Sequence, residues 1–164
     1  MAKRAARLFL VIFTLFLVGC DHATKFAATE LAPRGTIDVV PGVLDLRYSR
    51  NDDTAFSLLH RFGAPMAGAT IFLAAISIAV LAFVLVMWWR RRHDSTRALH
   101  IGFALVVAGA AGNVIDRMMR GYVVDFIHVH YWPIFNVADV AIVAGTILLA
   151  LVAQSRSQSR DARV

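Results

Sequence analysis

The chain reads as an all-α membrane protein: four transmembrane helices, a small extracytoplasmic β-sheet between the first two, and a short extracytoplasmic segment between the last two. Three observations lead there. Of the 164 residues 59% are hydrophobic and 17% charged, against about 45–50% apolar in an ordinary soluble domain. Apolar runs long enough to cross a bilayer recur four times along the chain. The charges are also sorted: Lys3, Arg4, Arg7, Arg90, Arg91, Arg92, Arg97, Arg156, Arg160 and Arg163, with only Asp94 and Asp161, fall around one set of span ends. That side carries net +8 and the other net −2, the positive-inside pattern, which puts both termini and the 90–97 loop in the cytoplasm. The formal charge of +6 is therefore a topology signal. No aromatic-basic surface pattern accompanies it, so nucleic acid is not an expected partner. The single cysteine excludes an intrachain disulfide and a multi-cysteine metal site, and the length allows one domain, 1–164.

The first span runs over about 8–31. Three basic residues precede an apolar stretch at 8–18, and Leu17-Val18-Gly19-Cys20 closes it. That opening also has the form of a lipoprotein signal peptide with Cys20 as its lipidation point; a permanent helix extended through 21–31 is the preferred reading, since it reaches the ~20 residues a span needs. Pro33-Arg34-Gly35 breaks the helix, and the period changes. Ile37 and Val39 alternate with Thr36 and Asp38, Pro41-Gly42 supplies a turn, and Leu44, Leu46 and Tyr48 alternate with Asp45, Arg47 and Ser49, which predicts an outer sheet over about 36–56. The second span, about 65–89, ends at Trp88-Trp89-Arg90-Arg91-Arg92, an aromatic belt and a cytoplasmic anchor. The third, about 98–115, is rich in glycine and alanine and so permits close helix approach. After the 121–131 segment, Trp132 and Pro133 mark the interface again, and the fourth span, about 134–152, leads to an Arg- and Ser-rich tail expected to be disordered over about 154–164.

Polar residues gather at the outer ends of these spans. Asn113, Asp116 and Arg117 stand at i, i+3 and i+4; Asn136 and Asp139 at i and i+3; Asp21 and Lys25 at i and i+4. Each set shares one helix face. Asp125 lies among Val123, Val124, Phe126 and Ile127, and Asp139 near the start of an apolar run. Two acids brought together in apolar surroundings can share one proton and activate a water.

DHATK at 21–25, NDDTAF at 51–56, GAAGNVIDR at 109–117, VVDF at 123–126 and FNVAD at 135–139 stand in the order and setting of bacterial lipoprotein signal peptidase, or signal peptidase II, and the chain resembles that family over nearly its whole length. The resemblance implies a four-span aspartyl endopeptidase of the bacterial cytoplasmic (inner) membrane, without metal or other cofactor. Its implied substrates are prolipoproteins, cut just before a diacylglyceryl-modified cysteine, with membrane lipid as the other partner and a monomer as the working unit. It makes Asp125 and Asp139 the catalytic dyad, sets Asn113, Arg117 and Asn136 beside it as donors that orient substrate and stabilise developing charge, and gives Asp21, Lys25, Asn51 and Asp116 supporting roles. Asp116 is then expected to pair with Arg117 or Lys25. The chain departs from the pattern after Asn51, where Asp53 stands in place of the usual glycine and Thr54 follows, a change that bears on loop shape.

Other readings compete. Asp21 with Lys25 suits a structural intrahelical pair, and Asp116 with Arg117 a helix-end ion pair. His128 and His130 have the spacing of two strand ligands, but no further His or Cys cluster completes a metal site. Asp52-Asp53 with Asp116 suggests a metal-dependent transferase acting on lipid headgroups, though a second acidic motif is lacking. A small transporter would carry polar residues through the depth of its spans, whereas the middles of the second and fourth are almost uniformly apolar.

Overall fold

The computed structural model describes residues 2–51 and 66–161. Four helices among them are long and apolar enough to cross a membrane: α1 (Ala2–Leu31), α2 (Met66–Arg90), α3 (Arg97–Arg120) and α4 (Val137–Asp161). A 3-10 turn, Ala32–Arg34, leads from α1 to β1 (Ile37–Val40) and β2 (Leu44–Asn51), and β3 (Val123–Val129) lies between α3 and α4.

The most apolar stretch of α3 is 56% buried, against at most 11% in each of the other three. It is the central helix, with α1, α2 and α4 all packed on it. Its small residues make this possible. A Cβ on Gly109 would stand 2.3 Å from the Ala138 carbonyl oxygen, and one on Gly112 would stand 2.4 Å from Asp21 Oδ2, so α4 and α1 approach α3 at the same level only because these side chains are absent. α1 runs unbroken through Cys20.

The strands form one antiparallel sheet in the order β1-β2-β3. The 121–131 segment is therefore more than the short connection expected from sequence: it supplies the third strand, so the sheet is assembled from the α1–α2 and α3–α4 connections. Gly121, at φ 80°, ends α3 in the left-handed region and its N–H bonds the Arg117 carbonyl at 3.1 Å, a turn that glycine makes without strain. Across the far edge of β3, the Ile127 N–H bonds the Phe135 carbonyl at 2.9 Å and the Phe135 N–H bonds the Ile127 carbonyl at 3.0 Å. Val124 and Phe126 pack with Ala28 of α1 beneath the sheet, flanked by Leu46, Tyr48 and Val137.

The expected disordered tail is corrected over its described part. α4 continues to Asp161, because Arg156 Nη2 lies 2.7 Å from both Asp94 carboxylate oxygens and 2.8 Å from Thr96 Oγ1. Once that anchor holds, each further residue adds a helical hydrogen bond at little cost.

Candidate active site

Asp139 sits in the first turn of α4, where two reciprocal bonds set it. The Asp139 N–H bonds Asn136 Oδ1 at 3.0 Å, and the Asn136 N–H bonds Asp139 Oδ2 at 3.1 Å. This is a capping box with an asparagine cap and an aspartate three residues on. The pattern N-x-x-D before an apolar run was open to reading in the sequence and was missed there. A third element completes the helix start: the Ala138 N–H bonds Asp21 Oδ1 of α1 at 3.0 Å, which places a carboxylate at the positive end of the α4 dipole.

Asp125 comes from the middle of β3 and is only 3% exposed. Its Oδ1 accepts from Asn136 Nδ2 at 2.6 Å and its Oδ2 from Asn51 Nδ2 at 2.8 Å. A register shift in β2 makes the second bond possible. Leu46 pairs with Ile127, yet Ser49 pairs with Asp125 and Asn51 with Val123, so β2 holds one extra residue between them. In the unshifted register Arg50 would take Asn51's place on the Asp125 face, because a one-residue slip reverses every side chain. The bulge thus puts a neutral donor beside this carboxyl where a cation would otherwise stand.

The two carboxylates are joined through asparagine. Asn113 Nδ2 donates to Asp139 Oδ1 at 2.9 Å, and Asn136 Nδ2 bridges Asp125 Oδ1 and Asn113 Oδ1, the latter at 3.2 Å. Among the described residues each of the four carboxylate oxygens accepts one bond, and every donor belongs to an asparagine. Burial pushes the Asp125 carboxyl up to about 6; the neighbouring Asp139 charge acts in the same sense, while the Asn51 and Asn136 donors hold it back. Such a group gives and takes a proton near neutral pH.

Beneath the pair lies an ion cluster. Lys25, with no exposed surface, has its Nζ 2.8 Å from Asp21 Oδ2, 2.9 Å from Asp116 Oδ2 and 2.9 Å from Asn113 Oδ1. Asp116 also accepts from the Val124 N–H at 3.3 Å and faces Arg120 Nη1 at 3.2 Å. Its partners are therefore Lys25 and Arg120, not the Arg117 that sequence allowed: position 120 is one turn on, on the same face. Together these groups tie α1, α3, α4 and β3 at one point.

Of the residues singled out in sequence, Asp125, Asp139, Asn113, Asn136, Asn51, Asp21, Lys25 and Asp116 meet in this one network. Arg117 is half-buried and bonds the Asn113 carbonyl at 3.4 Å, with no hydrogen bond to either dyad carboxylate. Asn136 gives its side-chain N–H groups to Asp125 Oδ1 and Asn113 Oδ1, and Asn113 gives one of its own to Asp139 Oδ1. His128 pairs with Asp45 Oδ2 at 2.8 Å and contacts Arg47, and no group of three His, Cys, Asp or Glu able to hold a metal occurs among the described residues. Asp52, Asp53 and Thr54 lie outside the described residues.

A family model described as Signal peptidase (SPase) II matches residues 13–154. The lipoprotein signal peptidase of Geobacter metallireducens is 37% identical, covering 94% of this chain and 96% of its own. That of Pseudomonas putida is 37% identical over 98% of this chain and 95% of its own. A solved structure of a bacterial membrane enzyme, determined by the in meso method at 2.3 Å resolution, superposes with a TM-score of 0.76 at 28% identity, covering 92% of this chain and 90% of that one.

Proposed function

The chain belongs to the signal peptidase II family of membrane hydrolases, and on that footing we propose that it removes the signal peptide of prolipoproteins by cutting just before the diacylglyceryl-modified cysteine, with Asp125 and Asp139 as the catalytic pair. The observation that carries this reading is the asparagine-bridged pair itself: two carboxyls from different elements, each oxygen bonded by an asparagine, with burial pushing the Asp125 carboxyl up to about 6.

In the proposed reaction Asp125 holds the shared proton and Asp139, the less buried of the two, is the base. Asp139 takes a proton from water as the water oxygen bonds to the scissile carbonyl carbon, and Asp125 gives its proton to the carbonyl oxygen. Asp139 then passes its proton to the leaving nitrogen as the carbon–nitrogen bond breaks, and Asp125 recovers one from the collapsing diol. No metal is required at any step. Asn113 and Asn136 hold the carboxylates, and the guanidinium of Arg117, without a bond to either of them, is a donor for the substrate backbone. Asp21, Lys25, Asn51 and Asp116 support the pair from behind.

The substrate's signal helix lies among the spans while its acyl chains stay in lipid, so membrane partition and helix packing contribute to binding. The charge asymmetry supports an inner-membrane protein with both termini cytoplasmic and the sheet and dyad at the extracytoplasmic face. A single domain working as a monomer is what the family resemblance implies.

The test is cleavage of a diacylglyceryl-modified prolipoprotein by wild type, Asp125→Asn and Asp139→Asn, each with and without a chelator. Wild type is expected to cut in both conditions and both folded variants to lose about 10³-fold or more. A variant with near-normal activity, or loss of cutting on chelation, would overturn the dyad and reopen the metal-dependent reading of 52–53.

A further inference from the structure

We infer that Lys25 is a positioning residue that sets the direction of the hydrogen-bond chain holding both catalytic carboxylates, and that it acts through the side-chain amide of Asn113. This rests on the dyad assignment above. Lys25 has no hydrogen bond to Asp125 or Asp139; its three near oxygens are those of Asp21, Asp116 and Asn113. The two carboxylates account for its charge. The third contact, to a neutral amide, has no part in neutralising it and a large part in orienting the amide.

Asn113 Oδ1 accepts from Lys25 at 2.9 Å and from Asn136 Nδ2 at 3.2 Å, so both its lone pairs are used and its NH2 must face Asp139 Oδ1 at 2.9 Å. Turned over, that NH2 would meet an ammonium and another NH2, and the oxygen would meet a carboxylate oxygen. Donor would face donor and acceptor would face acceptor, an arrangement that costs most where water cannot relieve it. Asn136 follows from Asn113. One of its N–H groups goes to Asn113 and the other to Asp125 Oδ1, and its own oxygen takes the Asp139 N–H. One ammonium therefore holds Asn113 in the sense that donates to Asp139 and accepts from Asn136, and so reinforces the bonds that the two amides make to the dyad.

Without it Asn113 loses the one charged contact that opposes its reversal and is held by its bonds with Asp139 and Asn136 alone, so the donor to Asp139 is less firmly set. Lys25→Met alone would strand the Asp21 and Asp116 charges, so the decisive variant is the charge-balanced double substitution Lys25→Met with Asp21→Asn. There an amide oxygen at position 21 can still accept from the Ala138 N–H, and Asp116 keeps Arg120. Its kcat, KM and pH profile are measured on the diacylglyceryl-modified prolipoprotein beside wild type and Asp125→Asn. The expected result is a cooperatively melting protein with KM within about twofold of wild type, kcat lower by about 100-fold or more, and a displaced pH profile. A kcat within about threefold with an unmoved profile would overturn the inference. So would loss of folding in the balanced variant, since Lys25 would then serve the fold and not the site. Failure of the dyad assignment would show separately, as an Asp125→Asn variant that still cuts.

Discussion

Asp125 lies on β3, beyond the spanning helices, and burial moves its carboxyl from the ordinary 3.8 to about 6. The folded chain therefore binds more protons than the unfolded one between those values, and stability falls as pH rises through them. The contribution is fully present below about 3.8 and gone above about 6. Asp125→Asn removes the titration, so its melting temperature relative to wild type should rise between pH 4 and pH 7.5. The two-unit shift corresponds to at most about 3 kcal/mol. A relative melting temperature that is flat with pH, or that falls, would show that Asp125 does not titrate as its burial dictates. At this scale the aspartates and the spacing of Asn113, Asp116, Asn136 and Asp139 were legible in the sequence, because helical periodicity puts such residues on one face. Which amide faces which carboxylate was not, because that follows from contacts between elements far apart in the chain.

At the scale of elements, the site depends on how closely α3 admits its neighbours. The Cβ that Gly109→Ala adds would meet a backbone carbonyl of α4 at 2.3 Å, and a backbone cannot rotate away. The start of α4 must then move, carrying Asn136 and Asp139 with it. A loss of about 1–3 kcal/mol and at least tenfold of activity is expected, read by thermal melting and by the cleavage assay. Gly19→Ala is the control: nothing lies within 4 Å of its added Cβ, and a mid-helix alanine should leave melting unchanged or raise it. Equal effects of the two would disprove the close-approach account. The bulge in β2 belongs to the same scale. Alternation predicted strands on either side of Pro41-Gly42, but an extra residue in a ladder has no period, so the placement of Asn51 against Asp125 emerged only from the pairing with β3.

The whole molecule is arranged about α3, and its two ends are held differently. At the sheet end the buried Lys25 cluster ties four elements together; at the other, Asp94 is held down at about 2, chiefly by Arg156, and this pair extends α4 past the apolar span. Arg156 is more than a third exposed, so the pair is worth less than about 1 kcal/mol after solvent screening. Arg156→Ala should leave cleavage within about twofold and speed amide exchange over 153–161. Slow exchange there in the variant would mean that the tail is helical without its anchor.

Four helices long and apolar enough to cross a membrane, charges sorted about them, and polar residues crowded at one set of helix ends were all legible in the sequence, since these follow from hydropathy, charge and helical period along the chain. Packing was needed to make 123–129 a strand of the sheet, to bring Lys25 of α1 between Asp21 and Asp116, to carry α4 on to Asp161, and to set Asn51, Asn113 and Asn136 against Asp125 and Asp139. The reason is physical. A hydrogen bond or ion pair across the fold needs a partner at about 3 Å, and closeness of that kind is set by packing between elements far apart in the chain, which no local pattern encodes.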